Sequence, residues 1–197
     1  MEFESLHDRL REIGKTIPNT RFKGAMKDAY ALALLDLAHE HAKSITLLAE
    51  KDLIASGWAL LRSCIEAYVR GCWLAHFATK SQIEKIRIGK DGWDSFVVML
   101  QKLDQMDDVP EGYHTARYKK SFSLLSGLTH GGWPQLVKRI NSGTLKYVPE
   151  EGEVEEAVME AVFISCMANI RMAEIIGTTD AVQKISGMMN ELFSSRN

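Results

Sequence analysis

The sequence predicts an all-α fold, a helical bundle of about four long helices with short helices appended. Only four prolines interrupt 197 residues, which favours long continuous elements over many short strands. Apolar residues recur at helical spacing, as Phe3, Leu6, Leu10 and Ile13 do in the first segment. No internal repeat, low-complexity tract or change of composition marks a linker, so residues 1–197 are expected to form a single domain.

The elements follow in order from this periodicity and from residues that begin or end helices. The expected helices cover residues 2–15, 24–50, 53–79, 80–88, 95–106, 113–128, 134–140, 153–176 and 180–194. Asp52 is expected to cap the third helix, Asp94 or Ser95 the fifth, and Thr179 the last. The breaks between helices are expected at Ile17–Thr20, Gly89, Pro110 with Gly112, the glycines after His130, a 141–152 loop with extended residues at 145–148, and Gly177.

The second helix is expected to have one apolar and one charged face. The residues expected to face inward are Met26, Ala29, Tyr30, Ala33, Leu37 and Leu48. The residues expected to face outward are Lys27, Asp36, Glu40 and Lys43.

Charge and cysteine usage exclude several protein classes. The net charge of −2 and the pI of about 6.3 exclude a strongly basic nucleic-acid coat protein. Three cysteines, an odd number on apolar segments, argue against a secreted disulfide framework, so we expect them to pack in the core. The N-terminal segment carries charges where a signal peptide needs an apolar core. The sequence therefore predicts a cytoplasmic protein.

The long apolar segment at residues 53–79 contains three charges, Arg62, Glu66 and Arg70. In a membrane span each of them would cost about 2.5–3.5 kcal/mol, so we expect a buried helix and no membrane association. Their i, i+4, i+8 spacing places them on one helix face, over roughly 12 Å of its axis. Two interpretations remain open: an ion-pair ladder that sets helix register, or an anion site with net positive charge.

Residues 113–149 contain no Asp or Glu. The same segment carries Arg117, Lys119, Lys120, Lys138, Arg139 and Lys146. Such a concentration of positive charge in a near-neutral protein is typical of a site for RNA or DNA backbone, and the alternative is a solvated basic face. His130 lies among glycines in this segment, either as an ordinary helix C-cap or as a titratable group beside a ligand.

Two motifs in this chain resemble the HEPN superfamily of all-helical proteins. They are Arg62-x3-Glu66-x3-Arg70-Gly-x-Trp73-Leu74 and Leu125-Ser126-Gly127-x-Thr129-His130-Gly131-Gly132. The resemblance covers roughly residues 25–175. It implies a homodimeric HEPN-like bundle without a metal or other cofactor, and an endoribonuclease that acts as toxin or effector in a defence or toxin–antitoxin system. A neutralising antitoxin or other defence partner is then also expected.

The resemblance also implies roles for individual residues. His130 would be the general acid or base, Arg62 and Arg70 would stabilise charge on the phosphate, and Glu66 would orient the arginines. The residues expected to hold the RNA backbone are Arg117, Lys119, Lys120, Lys138 and Arg139.

The Arg-x(4–6)-His mark of the superfamily has one literal fit, Arg70-x5-His76. On a continuous helix this spacing turns by about 600°, which separates the two side chains, so His76 ranks below His130. Gly71 occupies a position where these proteins often have a polar residue. Because some HEPN proteins are inactive, the alternative is a non-catalytic subunit that dimerises and binds a nucleotide, nucleic acid or partner protein.

A di-metal bundle is the rival enzyme class, since its Glu-x-x-His motif occurs at Glu4–His7 and Glu111–His114. The first lies at the N-terminus and the second beside a Pro/Gly break, which disfavours both. The His39-Glu40-His41 sequence lacks the spacing of a metalloprotease helix and is interpreted as solvated histidines.

Overall fold

The computed structural model describes residues 3–18, 24–107, 109–140 and 147–194, and these residues form helices joined by turns and loops, without any strand. The helices are α1 (Phe3–Lys15), α2 (Met26–Glu50), α3 (Ile54–His76), α4 (Lys80–Arg87), α5 (Phe96–Leu103), α6 (Tyr113–Thr129), α7 (Trp133–Ile140), α8 (Glu153–Ile176) and α9 (Thr179–Ser194). The prediction of an all-α bundle is confirmed. The Asn19–Thr20 end of the first predicted break and residues 141–146 of the predicted loop lie outside the described residues, and Tyr147 and Val148 are not in a strand.

Helix α3 lies at the centre of the bundle and packs against α2, α8, α6 and α5. It is buried along most of its length, which agrees with the interpretation of residues 53–79 as a buried helix. Within the described part of the chain, no helix combines the length and the hydropathy that crossing a bilayer requires.

Helix α3 approaches α2 closely at Gly71. A Cβ atom placed on Gly71 would lie 2.8 Å from Cγ of Leu35 and 3.2 Å from the carbonyl oxygen of Ala31. Because Gly71 has no side chain, the backbone of α3 can pack directly against the Leu35 side chain of α2. This contact explains a glycine at a position where the HEPN resemblance implies a polar residue.

Replacing Gly71 with valine is expected to lower the free energy of unfolding by about 2 kcal/mol, because the added carbons must displace Leu35 or α2 itself. Gly187→Val is a matched control in α9, since nothing lies within 4 Å of a Cβ at that position. Urea unfolding of both variants measures the difference. Equal stability of the two variants would contradict the close α2–α3 approach.

The predicted inward face of α2 is wrong. Met26 is 52% exposed and Leu37 is 38% exposed, whereas the α2 residues buried in the structure are Ala31, Leu35, Ala38, His39, Ala42, Ile45, Thr46 and Ala49. Helix α2 has two apolar faces, and hydrophobicity alone predicts that the face with the bulkier side chains is buried. Close packing selects the alanine-rich face instead, because small side chains let α3 and α8 approach.

Several helix ends differ from the sequence predictions. Asp52 does not cap α3: it has φ of 57° in the preceding turn, and Leu53 is the N-cap residue. Helix α3 ends at His76 rather than at residue 79 because Thr79 caps α4, in a capping box with Gln82. Thr179 is the first residue of α9 and not its cap.

Two other predicted helix ends are confirmed. Ser95 caps α5, where its Oγ accepts a hydrogen bond from the backbone N–H of Val98 at 3.4 Å. Gly177 ends α8 with φ of 82°, a left-handed conformation that glycine adopts without strain.

Candidate functional site

The three charges of α3 form an ion-pair ladder. Oε2 of Glu66 lies 3.2 Å from Nη1 of Arg62, and Oε1 lies 2.7 Å from Nη2 of Arg70. The side chains of Arg62, Glu66 and Arg70 are 22%, 21% and 37% exposed. The ladder predicted from the spacing is therefore present, and it is partly open to solvent.

Neighbouring elements hold each guanidinium from a second side. The Cζ atom of Arg62 lies 4.4 Å from the centre of the Phe122 ring, and its Nε donates to Oγ of Ser126 at 2.9 Å. The Cζ atom of Arg70 lies 4.8 Å from the centre of the Trp93 ring. Cation–π contacts and the shared carboxylate thus orient both arginines before any ligand arrives. Sequence reasoning missed these partners, because they lie far from α3 along the chain.

Helix α6 runs beside the ladder and adds a second row of polar residues. Lys119, Ser126 and His130 fall within about 40° of one another around the α6 axis, and Ser126 is the residue that contacts Arg62. Lys119 and His130 are exposed. His130 is the C-cap residue of α6, and its backbone N–H donates to the Ser126 carbonyl at 3.1 Å. We name the surface formed by Arg62, Glu66, Arg70, Lys119, Ser126 and His130 the ladder face.

His76 does not join this surface on its own chain. It is the last residue of α3, is exposed, and has its ring centre 6.3 Å from that of Phe77. Helix α3 is continuous from Arg70 to His76, so no helix break brings the two side chains to one face.

The basic segment divides into paired and exposed residues. Nε and Nη2 of Arg117 donate to both carboxylate oxygens of Glu160, at 3.1 and 2.6 Å. Nζ of Lys138 lies 2.7 Å from Glu153 and 3.2 Å from Glu150. Of the other cations of the segment, Lys119, Lys120 and Arg139 are exposed, and Lys146 lies outside the described residues.

The pKa values of these two paired cations reflect their glutamates. Burial alone would lower the pKa of Arg117, but the Glu160 carboxylate outweighs burial and raises that pKa above its ordinary value. Burial likewise opposes the charge of Lys138, and the carboxylates of Glu153 and Glu150 raise its pKa. Both side chains are therefore charged, but the carboxylates on α8 and in the segment before it balance most of their positive charge. Their predicted role in RNA binding stays a prediction, and their glutamates weaken it.

A cluster centred on Asp94 supports the aromatic contact of Arg70. Oδ2 of Asp94 accepts from Nε1 of Trp73 at 2.9 Å and from Nζ of Lys102 at 2.7 Å, and Oδ1 accepts from Nε2 of Gln82 at 3.0 Å. The Lys102 ammonium and, after it, the Trp73 N–H hold the pKa of Asp94 below its usual value despite partial burial. The Trp73 ring centre lies 5.7 Å from that of Trp93, so this cluster positions Trp93 beneath Arg70.

The prediction that His39 is solvated is wrong, because His39 is buried between α2 and α8. Its Nδ1 lies 2.7 Å from Oγ of Ser165 and 3.0 Å from Nδ2 of Asn169. The Asn169 amide is a donor there, so Nδ1 accepts and the imidazole is neutral. Burial, followed by the charge of Lys43, lowers the pKa of His39 to about 4.

Acid is expected to destabilise the protein through His39. The pKa of His39 is 6.5 in the unfolded chain and about 4 in the folded chain. At pH values between these two, His39 is mostly protonated in the unfolded chain and mostly neutral in the folded chain. Stability therefore falls as the pH falls, by roughly 2 kcal/mol from this residue between about pH 7 and pH 5. Urea unfolding at the two pH values measures the drop, and His39→Gln removes that part of it. An identical drop in the variant would contradict this role of His39.

The predicted cysteine packing is confirmed, since Cys64, Cys72 and Cys166 are all buried and not joined in disulfides. Among the residues the structure describes, no group of three His, Cys, Asp or Glu side chains is arranged to hold a metal ion. The histidines of the two disfavoured metal motifs contact other protein groups. Nδ1 of His7 lies 3.2 Å from Oγ1 of Thr46, and Nδ1 of His114 lies 3.4 Å from Oδ1 of Asp104.

Comparison with known proteins gives one match. The model of a family described as a family of unknown function, DUF6988, matches residues 35–195, which include all of the ladder face. No curated protein and no solved structure matches the chain.

Proposed function

The chain belongs to the DUF6988 family, and from its ladder face we propose that it is a metal-independent endoribonuclease of the HEPN type. It acts as a toxin or effector in a bacterial defence or toxin–antitoxin system. The observation that carries the proposal is the pair of pre-oriented, partly exposed arginines on a face that also presents Lys119 and His130. Two guanidiniums around one carboxylate leave a net positive charge, which suits a phosphate.

The reaction needs two proton transfers and charge stabilisation at one phosphate. The 2′-hydroxyl oxygen of a ribose attacks the adjacent phosphorus, its proton passes to a base, and the bond from phosphorus to the 5′-oxygen breaks. The leaving 5′-oxygen takes a proton, and a 2′,3′-cyclic phosphate remains. His130 serves one of these transfers, while Arg62 and Arg70 stabilise the negative charge that develops on phosphate oxygens.

The test is incubation of the pure full-length protein with labelled tRNA and messenger RNA in EDTA. Cleavage that leaves 2′,3′-cyclic phosphate ends is expected, and His130→Ala should lower its rate by about 10²- to 10⁴-fold. His41→Ala is the matched control, since His41 lies on α2 away from the ladder face and its loss should leave the rate unchanged. An active, folded His130→Ala protein would remove His130 from the mechanism.

One observation favours the non-catalytic alternative, a HEPN-like binding or regulatory subunit. Each arginine already has Glu66 and an aromatic ring as partners, which is the arrangement of a structural ladder. Folded protein that binds RNA, a nucleotide or a partner protein in EDTA without cleaving RNA would support this second function.

The proposal includes a homodimer in the cytoplasm and a protein partner that neutralises or triggers it. HEPN proteins are usually homodimers, and in a groove built by two chains a second copy would add its own His130 and ladder to one RNA. Light scattering on the same sample tests this point, because a dimer has twice the 22.1 kDa mass of the chain.

A further inference from the structure

A cavity of about 450 Å³ lies between α3, α6 and α8, separate from the ladder face. Four of the six α6 residues that line it, Arg117, Ser121, Leu124 and Leu128, lie on the side of α6 about 180° from Lys119, Ser126 and His130. The other two, Tyr118 and Leu125, are buried. Its floor is apolar and includes Leu61, Ile65, Leu125 and Ala157. The volume is in the range of small-molecule sites.

The rim of this cavity is acidic. Five glutamates line it, Glu150, Glu151, Glu153, Glu156 and Glu160, against two cations, Arg117 and Lys138. Those two cations pair with Glu160, Glu153 and Glu150. Glu151 and Glu156 are exposed and form no ion pair with the described residues. The excess negative charge disfavours RNA here and favours a cation.

Two buried polar atoms at the cavity have no hydrogen-bond partner in the part of the chain that the structure describes. The hydroxyl of Tyr118, a residue only 1% exposed, and Nε1 of Trp58 form no hydrogen bond with the described residues, and both side chains line the cavity. A buried donor without a partner costs about 1–3 kcal/mol, and such groups are rare in folded proteins. The indole N–H can only donate, so it calls for a ligand with an acceptor oxygen.

We propose that this cavity binds a small amphipathic organic cation, with an aromatic or similar apolar body, a polar oxygen at one end and a protonated amine at the other. The apolar body lies on the Leu61, Ile65 and Leu125 floor. The oxygen accepts from the Trp58 N–H and pairs with the Tyr118 hydroxyl. The ammonium group lies at the rim beside Glu151 and Glu156.

Three probes of nearly equal size and different charge test the proposal on the full-length protein by titration calorimetry. They are tyramine, its neutral alcohol analogue tyrosol, and the anion 4-hydroxyphenylacetate. We expect saturable binding of one tyramine per chain, about tenfold weaker binding of tyrosol, and no saturable binding of the anion. Added salt should weaken tyramine binding and leave tyrosol binding unchanged. Absence of saturable tyramine binding, or equal binding of the anion, would overturn the proposal.

Variants locate the binding. Glu151→Gln with Glu156→Gln should weaken tyramine about tenfold without changing tyrosol, because both positions are exposed and the fold does not depend on them. Glu40→Gln with Glu191→Gln is the matched control at two exposed sites away from the cavity. Tyr118→Phe removes an unpaired hydroxyl, so it should weaken both probes several-fold while the folded protein loses no stability. Unchanged tyramine binding in the Glu151/Glu156 variant would place the ligand elsewhere.

Discussion

Replacing Glu66 with alanine is expected to lower the free energy of unfolding by about 3 kcal/mol. The substitution leaves Arg62 and Arg70, which are both partly buried, without the carboxylate that lies 3.2 and 2.7 Å from them. Removing one partner of a buried ion pair costs about 3–5 kcal/mol, and the partial exposure of this ladder places its cost at the lower end. Urea unfolding at neutral pH measures the change.

Two variants separate the ladder from an ordinary surface charge. Glu84 pairs with Arg87 at 2.7 Å on α4, where both side chains are about half exposed, so Glu84→Ala should leave the free energy of unfolding nearly unchanged. The triple variant Arg62→Met, Glu66→Leu, Arg70→Met removes all three charges and should stay within about 1 kcal/mol of the native protein. It should also lose RNA binding. If Glu66→Ala is as harmless as Glu84→Ala, the ladder is solvated and does not support the fold.

Replacing Trp73 with alanine is expected to cost about 4 kcal/mol. Trp73 is fully buried, its Nε1 donates to Asp94 at 2.9 Å, and its ring packs against that of Trp93. The variant leaves a large cavity beside α3 and frees Trp93, so the stacking of Arg70 is also weakened. Thermal and urea unfolding measure the loss of stability.

Trp133→Ala is the matched control for this prediction, since Trp133 is 75% exposed and its removal should change stability by less than about 0.5 kcal/mol. Trp73→Phe keeps an aromatic ring but removes the N–H and part of the indole, so its cost should lie between that of Trp73→Ala and the roughly 1 kcal/mol of one hydrogen bond. A Trp73→Ala protein as stable as Trp133→Ala would show that the region around Trp73 is not part of the cooperative core.

Much of the candidate site could be predicted because its signals are local. Arg62, Glu66 and Arg70 are four residues apart, and helix geometry alone places them in one row. Ser95 and Gly177 were identified as helix ends for the same reason, since capping depends on residues within one turn. His130 was placed at the end of α6 by the glycines that follow it.

The rest depended on contacts between residues distant in sequence. Phe122 and Trp93 stack on the two arginines from other elements, and no spacing along the chain indicates that. Arg117 was expected to hold RNA, yet the carboxylate of Glu160, 43 residues away, accepts hydrogen bonds from its Nε and Nη2. His39 was interpreted as a solvated residue because the His39-Glu40-His41 spacing fits no metal site, whereas in the structure it is buried against Ser165 and Asn169 of α8.

The sequence by itself determined which segments are helical, roughly where most of them end, and which charges share the exposed row of α3. These properties follow from hydrogen bonds and side-chain spacing within one or two turns. Only the tertiary structure decided which face of α2 is buried, which cations remain available on α6, and where the acidic cavity lies. Those outcomes depend on the volumes and charges of helices that meet after the chain has folded, and Ala31, Leu35 and Gly71 show that close packing can outweigh hydrophobicity.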